Sequence, residues 1–151
     1  MRLYVIRHAK AENFAGSDFE RVLTGRGREQ ASMLGKYLLE KSMVPDLVLS
    51  SPVLRAKETA EIMCEAMQMG APILEPFLAC GMQADVAKRE LTAYKDIEAV
   101  AIVGHNPDLT YLIQEFSEAA VLPFRVKKGS VTILEPEEFD GEYRIEAHEE
   151  F

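Results

Sequence analysis

Three times along this chain, a short run of strand-forming apolar residues stops abruptly on polar ones. Leu3-Tyr4-Val5-Ile6 runs into Arg7-His8, and Leu47-Val48-Leu49 into Ser50-Ser51-Pro52-Val53-Leu54-Arg55. Ala99-Val100-Ala101-Ile102-Val103 runs into Gly104-His105-Asn106-Pro107. Apolar runs without alternation suit strands covered on both faces. Between them the period changes to that of helices. Ala31, Leu34, Leu38 and Leu39 follow Thr24 as a cap, in a helix to about Lys41. Ala56, Ala60, Met63 and Met67 form one side of a second helix, to about Met69. Strand–helix alternation of this kind predicts an α/β fold, a three-layer α/β/α sandwich around a mainly parallel central sheet. Right-handed crossovers then gather the carboxyl ends of the strands along one edge, where open α/β sheets bind ligands.

The remaining segments complete the pattern. Ala71-Pro72-Ile73-Leu74 reads as a third, short strand, residues 75–82 as irregular, and Gln83 to Lys95 as a helix. Asn106 caps and Pro107 opens a helix to about Ser117. Val131-Thr132-Ile133-Leu134 and Glu142-Tyr143-Arg144-Ile145-Glu146 read as a terminal hairpin turning through Asp140-Gly141. The 151 residues carry no internal repeat or linker, and one domain over 1–151 is expected.

What gathers at the predicted edge is chemically uniform. Strand one delivers Arg7 and His8, strand two delivers Ser51 and Arg55, and strand four delivers His105. Ser51 as N-cap with Pro52 at the first helical position, and Asn106 with Pro107, place two helix N-termini there, where free N–H groups and the helix dipole favour anions. Arg55 stands in a first turn, unfavourable for a cation unless a bound anion offsets it. Two arginines and two histidines point to a dianionic phosphate, with an imidazole able to act as nucleophile. Singly, each has a plainer reading: His105 as a hydrogen-bonded core histidine, Arg55 as a surface helix residue. The loop over residues 9–23 is long enough to be functional. Its Lys10, Glu12, Asn13, Asp18 and Arg21 read as solvated charges able to reach the rim.

Charge and cysteine usage narrow the partners. A net charge of -8 argues against a general binder of nucleic acid or acidic membrane, so a phosphate site has to be a local positive pocket. Cys64 and Cys80 are too few for a disulfide framework. No run approaches the roughly 20 apolar residues of a membrane span, and Arg7-His8 interrupts any signal-peptide core. A cytoplasmic protein is expected. The three histidines, with His148 read as exposed in the last strand, do not resemble a metal site, so neither metal nor cofactor is expected.

Residues 3–9, 50–60 and 103–107 resemble the signature segments of the histidine phosphatase (phosphoglycerate-mutase-like) superfamily. Ala9-Lys10-Ala11, Arg21-Val22-Leu23-Thr24-Gly25-Arg26-Gly27 and the short length are most similar to its phosphohistidine phosphatase (SixA-type) branch. The resemblance implies that His8 is the nucleophile, phosphorylated during turnover, and that Arg7, Arg55 and His105 bind the phosphoryl oxygens. It implies a metal-independent hydrolase. The family's usual motif has glycine where this chain has Ala9. Many relatives also carry an acidic residue after the third strand as general acid. Here that stretch reads Phe77-Leu78-Ala79-Cys80-Gly81, with Glu75 and Asp85 flanking it. An alkoxide leaves poorly without a proton, whereas a protonated imidazole leaves neutral. The expected activity is therefore hydrolysis of phosphohistidine on a partner protein, such as a phosphotransfer domain. Two alternatives stand beside it: a phosphomonoesterase for a small sugar phosphate or nucleotide, and a non-catalytic phosphate-binding module. His8 as nucleophile has to be neutral, while His105 serves best as a charged donor.

Overall fold

The computed structural model describes residues 1–14, 16–138 and 141–151. Six strands form one sheet in the order β3-β2-β4-β1-β5-β6. They are β1 (Arg2–Arg7), β2 (Leu47–Ser50), β3 (Ile73–Leu74), β4 (Ala99–Gly104), β5 (Val131–Pro136) and β6 (Tyr143–Glu149). The β3-β2, β2-β4 and β4-β1 pairs are parallel, while β5 runs antiparallel to both β1 and β6. The sheet is therefore mainly parallel, as the sequence predicts.

Helices α1 (Gly25–Glu40) and α2 (Leu54–Ala66) cover one face, and α3 (Ala84–Leu91) and α4 (Asp108–Ser117) the other. The pleat sorts the strand residues between them. Tyr4, Ile6, Val48, Ala101 and Val103 pack with Leu34, Leu38, Ala60 and Met63. Leu3, Val5, Leu49, Val100 and Ile102 pack with Leu91, Leu109, Leu112 and Ile113. Each wholly buried Leu or Ile contributes about 1.5–3 kcal/mol relative to exposure, so both apolar layers hold the central strands and the edge they support.

Several boundaries differ from expectation. The second helix starts at Leu54 with Val53 as N-cap, not at Pro52 after Ser51. Ser51 Oγ accepts the Val53 N–H at 3.2 Å, a turn closed just upstream of the helix. The fourth starts at Asp108 with Pro107 as N-cap. Asn106 Oδ1 still serves it, accepting from Thr110 N at 3.2 Å and Thr110 Oγ1 at 2.8 Å. β3 keeps only Ile73 and Leu74 of the four residues expected. The segment expected as one helix from Gln83 to Lys95 divides into α3 and a 3-10 turn, Thr92–Tyr94. β5 and β6 pair antiparallel, with a register irregularity at Ile133/Leu134. Of their expected turn, Asp140 lies outside the described residues.

Candidate active site

Strand register builds the site. β1 and β4 are parallel neighbours with Arg7 opposite Gly104, so the next residues, His8 and His105, leave the sheet side by side. The His8 N–H donates to the Gly104 carbonyl at 3.0 Å, and the two rings lie 5.4 Å apart at an interplanar angle of 52°. On the other side of β4, Ser50 stands opposite Val103, and the Ser51 N–H donates to the Val103 carbonyl at 2.9 Å. This sets Ser51 Oγ 2.8 Å from His105 Nε2. Thr59 on α2 ties this helix to the end of β1, accepting the Ala9 N–H at 3.0 Å while donating to the Arg55 carbonyl at 2.7 Å.

The contacts of His8 assign its tautomer. Nδ1 lies 2.8 Å from the Ala9 carbonyl, an acceptor only, so Nδ1 carries the proton and donates it there. Nε2 keeps its lone pair, has no hydrogen-bond partner among the described residues and is not sealed from solvent. Around it stand buried nitrogens without partners among the described residues: Arg7 Nε, Arg55 Nε and His105 Nδ1. Buried polar atoms without a partner are costly and uncommon. Three of them on the residues that flank one free imidazole lone pair make a site suited to an oxyanion.

Burial, first, and then the charges of nearby cations hold both imidazoles neutral. His8 is lowered to about 3, with His105, Arg55 and Arg7 adding to the desolvation against the opposing Ala9 hydrogen bond. His105 is lowered to about 4 by burial and by Arg55 and Arg7, against the carboxylate of Asp18. The expectation of a charged His105 beside a neutral His8 is not met by these surroundings, which favour the neutral form of both rings. A charged His105 there faces low dielectric and the guanidiniums of Arg55 and Arg7, opposed by the Asp18 carboxylate. Nor is His8 an exposed rim residue: only 5% of it is accessible.

Of the loop charges, Asp18 and Arg21 reach the site. Asp18 sits in a 3-10 turn, Asp18–Glu20, and accepts from Arg55 through both its carbonyl (3.0 Å) and Oδ2 (3.2 Å). Arg21 Nη1 holds the other carboxylate oxygen at 3.0 Å, and its Nε donates to the Glu12 carbonyl at 2.6 Å. Cys80 Sγ lies 3.5 Å from Arg55 Nη2. Glu75 instead accepts from the Tyr94 hydroxyl, and Asp85 is exposed at the start of α3. Sequence reasoning missed Ser51 as the partner of His105, because Ser-Pro before a helix reads first as a cap. The Ala9 carbonyl leaves no side-chain signal at all. His148 also departs from expectation, since its ring stacks on Phe124 at 3.8 Å and Nδ1 meets Thr132 Oγ1 at 2.9 Å.

Comparison with known proteins gives a consistent picture. The family model described as "Histidine phosphatase superfamily (branch 1)" matches residues 3–79. The phosphohistidine phosphatase SixA of Escherichia coli (strain K12) is 25% identical over 146 residues, covering 95% of this chain and 91% of that protein. The mitochondrial serine/threonine-protein phosphatase Pgam5 of Drosophila erecta is 28% identical over 165 aligned positions, covering 87% of this chain and 57% of that protein. Among solved structures, the protein histidine phosphatase SixA complexed with tungstate superposes with a TM-score of 0.90 at 22% identity, over 99% of this chain and 97% of the other.

Proposed function

The chain belongs to the histidine phosphatase superfamily, and on that footing we propose that it hydrolyses phosphohistidine on a partner protein through a phosphorylated His8. The observation that carries the reading is the tautomer of His8. With Nδ1–H given to Ala9, the Nε2 lone pair can attack phosphorus directly, with no base needed to remove a proton. The P–N bond of the substrate breaks as the new one to Nε2 forms, and the substrate imidazole leaves neutral once its other nitrogen carries a proton. Water then attacks the phosphoryl group on His8, inorganic phosphate departs, and Nε2 recovers its lone pair.

Phosphoryl transfer passes through a loose transition state, so catalysis rests on position and charge. Arg7, Arg55 and His105 supply both, through the buried nitrogens that have no partner among the described residues. An arriving phosphate dianion reverses the electrostatics at His105 and favours its imidazolium. Phosphohistidine suits a site whose nearest acid, Asp18, is held by two arginines and is poorly placed to give a proton to an alkoxide. Similarity to SixA, whose name states this activity, supports the same substrate class. Action on small phosphate esters is the second reading.

Labelled phosphoramidate and a phosphohistidine protein, offered to wild type and to His8→Ala, test the proposal. Wild type should form an acid-labile phosphoenzyme and release phosphate. His8→Ala should do neither while keeping its circular dichroism. Full activity in that variant, or much higher kcat/KM on phosphomonoesters, would overturn the reading.

A further inference from the structure

Beside the phosphate site lies an open cleft of about 410 Å³ between α4 and the segment over residues 122–127. Arg7 forms one wall of it, and Arg7 Nη1 donates to the Val126 carbonyl at 2.9 Å, so the cleft and the phosphate pocket share a side chain. Leu122 and Phe124 supply apolar surface; Asn106 and Gln114 supply amides. Phe124 is held rigid by the stacked ring of His148, which occupies one of its faces. Two further cations line the cleft. Lys127 is engaged by Glu150 at 3.2 Å, but Arg125 is exposed and forms no salt bridge among the described residues.

The positive charge continues around Arg7. Lys128 is held below its usual range by partial burial and then by Arg7, Arg21 and Lys10, so these cations share one neighbourhood. In a chain of net charge -8, that is a local reversal of the field. An acidic partner is repelled by most of the surface and attracted here, which fixes its orientation as well as its rate of encounter.

Resting on the phosphohistidine reading, we infer that this cleft is a docking subsite for an acidic segment of the phosphorylated partner protein, with Arg125 as its specificity-determining residue. A carboxylate beside the phosphorylated side chain meets Arg125. An aliphatic neighbour covers Leu122 and the part of Phe124 that lines the cleft, and the Asn106 and Gln114 amides meet the backbone. Arg125 acts on the carrier and leaves the reacting atoms alone.

Two phosphohistidine peptides of equal length test this, one flanked by Asp and Glu, the other by Lys and Arg, with phosphoramidate as the carrier-free probe. Wild type at low salt should prefer the acidic peptide by about tenfold or more in kcat/KM. Arg125→Glu should cut that preference to about twofold or less, as should about 0.5 M salt, which shortens the screening length. Phosphoramidate turnover should be the same in both proteins. Equal turnover of both peptides by wild type, a preference that survives Arg125→Glu, or a parallel loss on phosphoramidate each overturns the docking subsite while leaving the phosphatase reading intact. An Arg125→Glu effect confined to a sugar phosphate or nucleotide also overturns it, by assigning the cleft to a small molecule. Wild type that hydrolyses phosphomonoesters but neither peptide overturns the phosphohistidine reading itself.

Discussion

Asp18 grips Arg55 twice, through its own carbonyl at 3.0 Å and a carboxylate oxygen at 3.2 Å, and so occupies the arginine proposed above to hold the phosphate. Hydrogen bonding from Arg21, then the charge of Arg55, holds the Asp18 carboxyl below its usual range, so it is ionised wherever the enzyme works. On the role proposed for Arg55, it is a resident anion that an incoming phosphoryl group has to displace. Asp18→Asn keeps the shape and removes the charge. Inhibition by inorganic phosphate or tungstate should then tighten by about two- to fivefold, the scale of an exposed ion pair. Unchanged or weaker inhibition would show that Asp18 assists the bound anion rather than competing with it.

The buried imidazoles set a pH dependence of definite sign. His8 at about 3 and His105 at about 4 lie below the usual histidine range, so the unfolded chain takes up protons first as pH falls. Stability is full above about 6.5, the ordinary histidine value. It declines as pH drops from there toward the folded-state values. Urea unfolding at several pH values should show this decline, and His8→Ala should lessen it. In kinetics, the acid limb assigned to free His8 should appear near pH 3 rather than 6.5. NMR titration with tungstate bound should move His105 upward and leave an unliganded sample unprotonated at pH 6.

Much of this architecture is legible from residue patterns because it depends on repeating apolar contacts. The unbroken run Ala99 to Val103 announces a strand buried on both faces, and parallel pairing with β1 then brings His8 and His105 together without any long-range guess. Arg7 and Arg55 follow from the same edge. What stays hidden depends on single hydrogen bonds between distant residues. Asp18 and Lys10 look alike in a charged loop, yet only Asp18 turns inward, because Arg21 and Arg55 both claim its oxygens. Protonation is hidden too, since the depth at which His105 is buried is a property of the packed edge. The helix starts were displaced by two residues at Leu54 and one at Asp108 because Ser51 and Asn106 bond one turn differently from simple caps.

Ser51 should act on catalysis through His105. Its Oγ is the one partner of His105 Nε2 among the described residues, and both side chains are buried. Ser51→Ala leaves that nitrogen unsatisfied, at a cost of about 1–3 kcal/mol in stability. It also frees the ring to rotate away from the phosphoryl oxygens, and kcat should fall by about tenfold. Ser51→Thr, which keeps the hydroxyl, should recover most of kcat. A variant that loses stability but keeps kcat would confine Ser51 to a structural role.

Two glycines near the start of α1 separate packing against the site from helix propensity. A Cβ on Gly27 would lie 1.9 Å from the Lys10 carbonyl oxygen and 2.9 Å from its carbon, atoms of the backbone that cannot swing aside. That carbonyl already accepts the Thr24 N–H at 3.0 Å, fixing the loop to the helix. Gly27→Ala therefore has to push Lys10 outward, with Ala9 next to it, and the Ala9 carbonyl is what orients His8. Overpacking of this kind costs about 1–3 kcal/mol or more, and kcat should fall with it as the His8 ring loses its anchor. Gly25 is the control, because nothing lies within 4 Å of a Cβ built there. Gly25→Ala should stabilise by about 0.4–1 kcal/mol through the unfolded chain and leave kcat unchanged. Thermal unfolding and phosphoramidate turnover of the two variants, measured side by side, check both halves. Equal behaviour of the pair would remove the link drawn from α1 through Lys10 and Ala9 to the nucleophile.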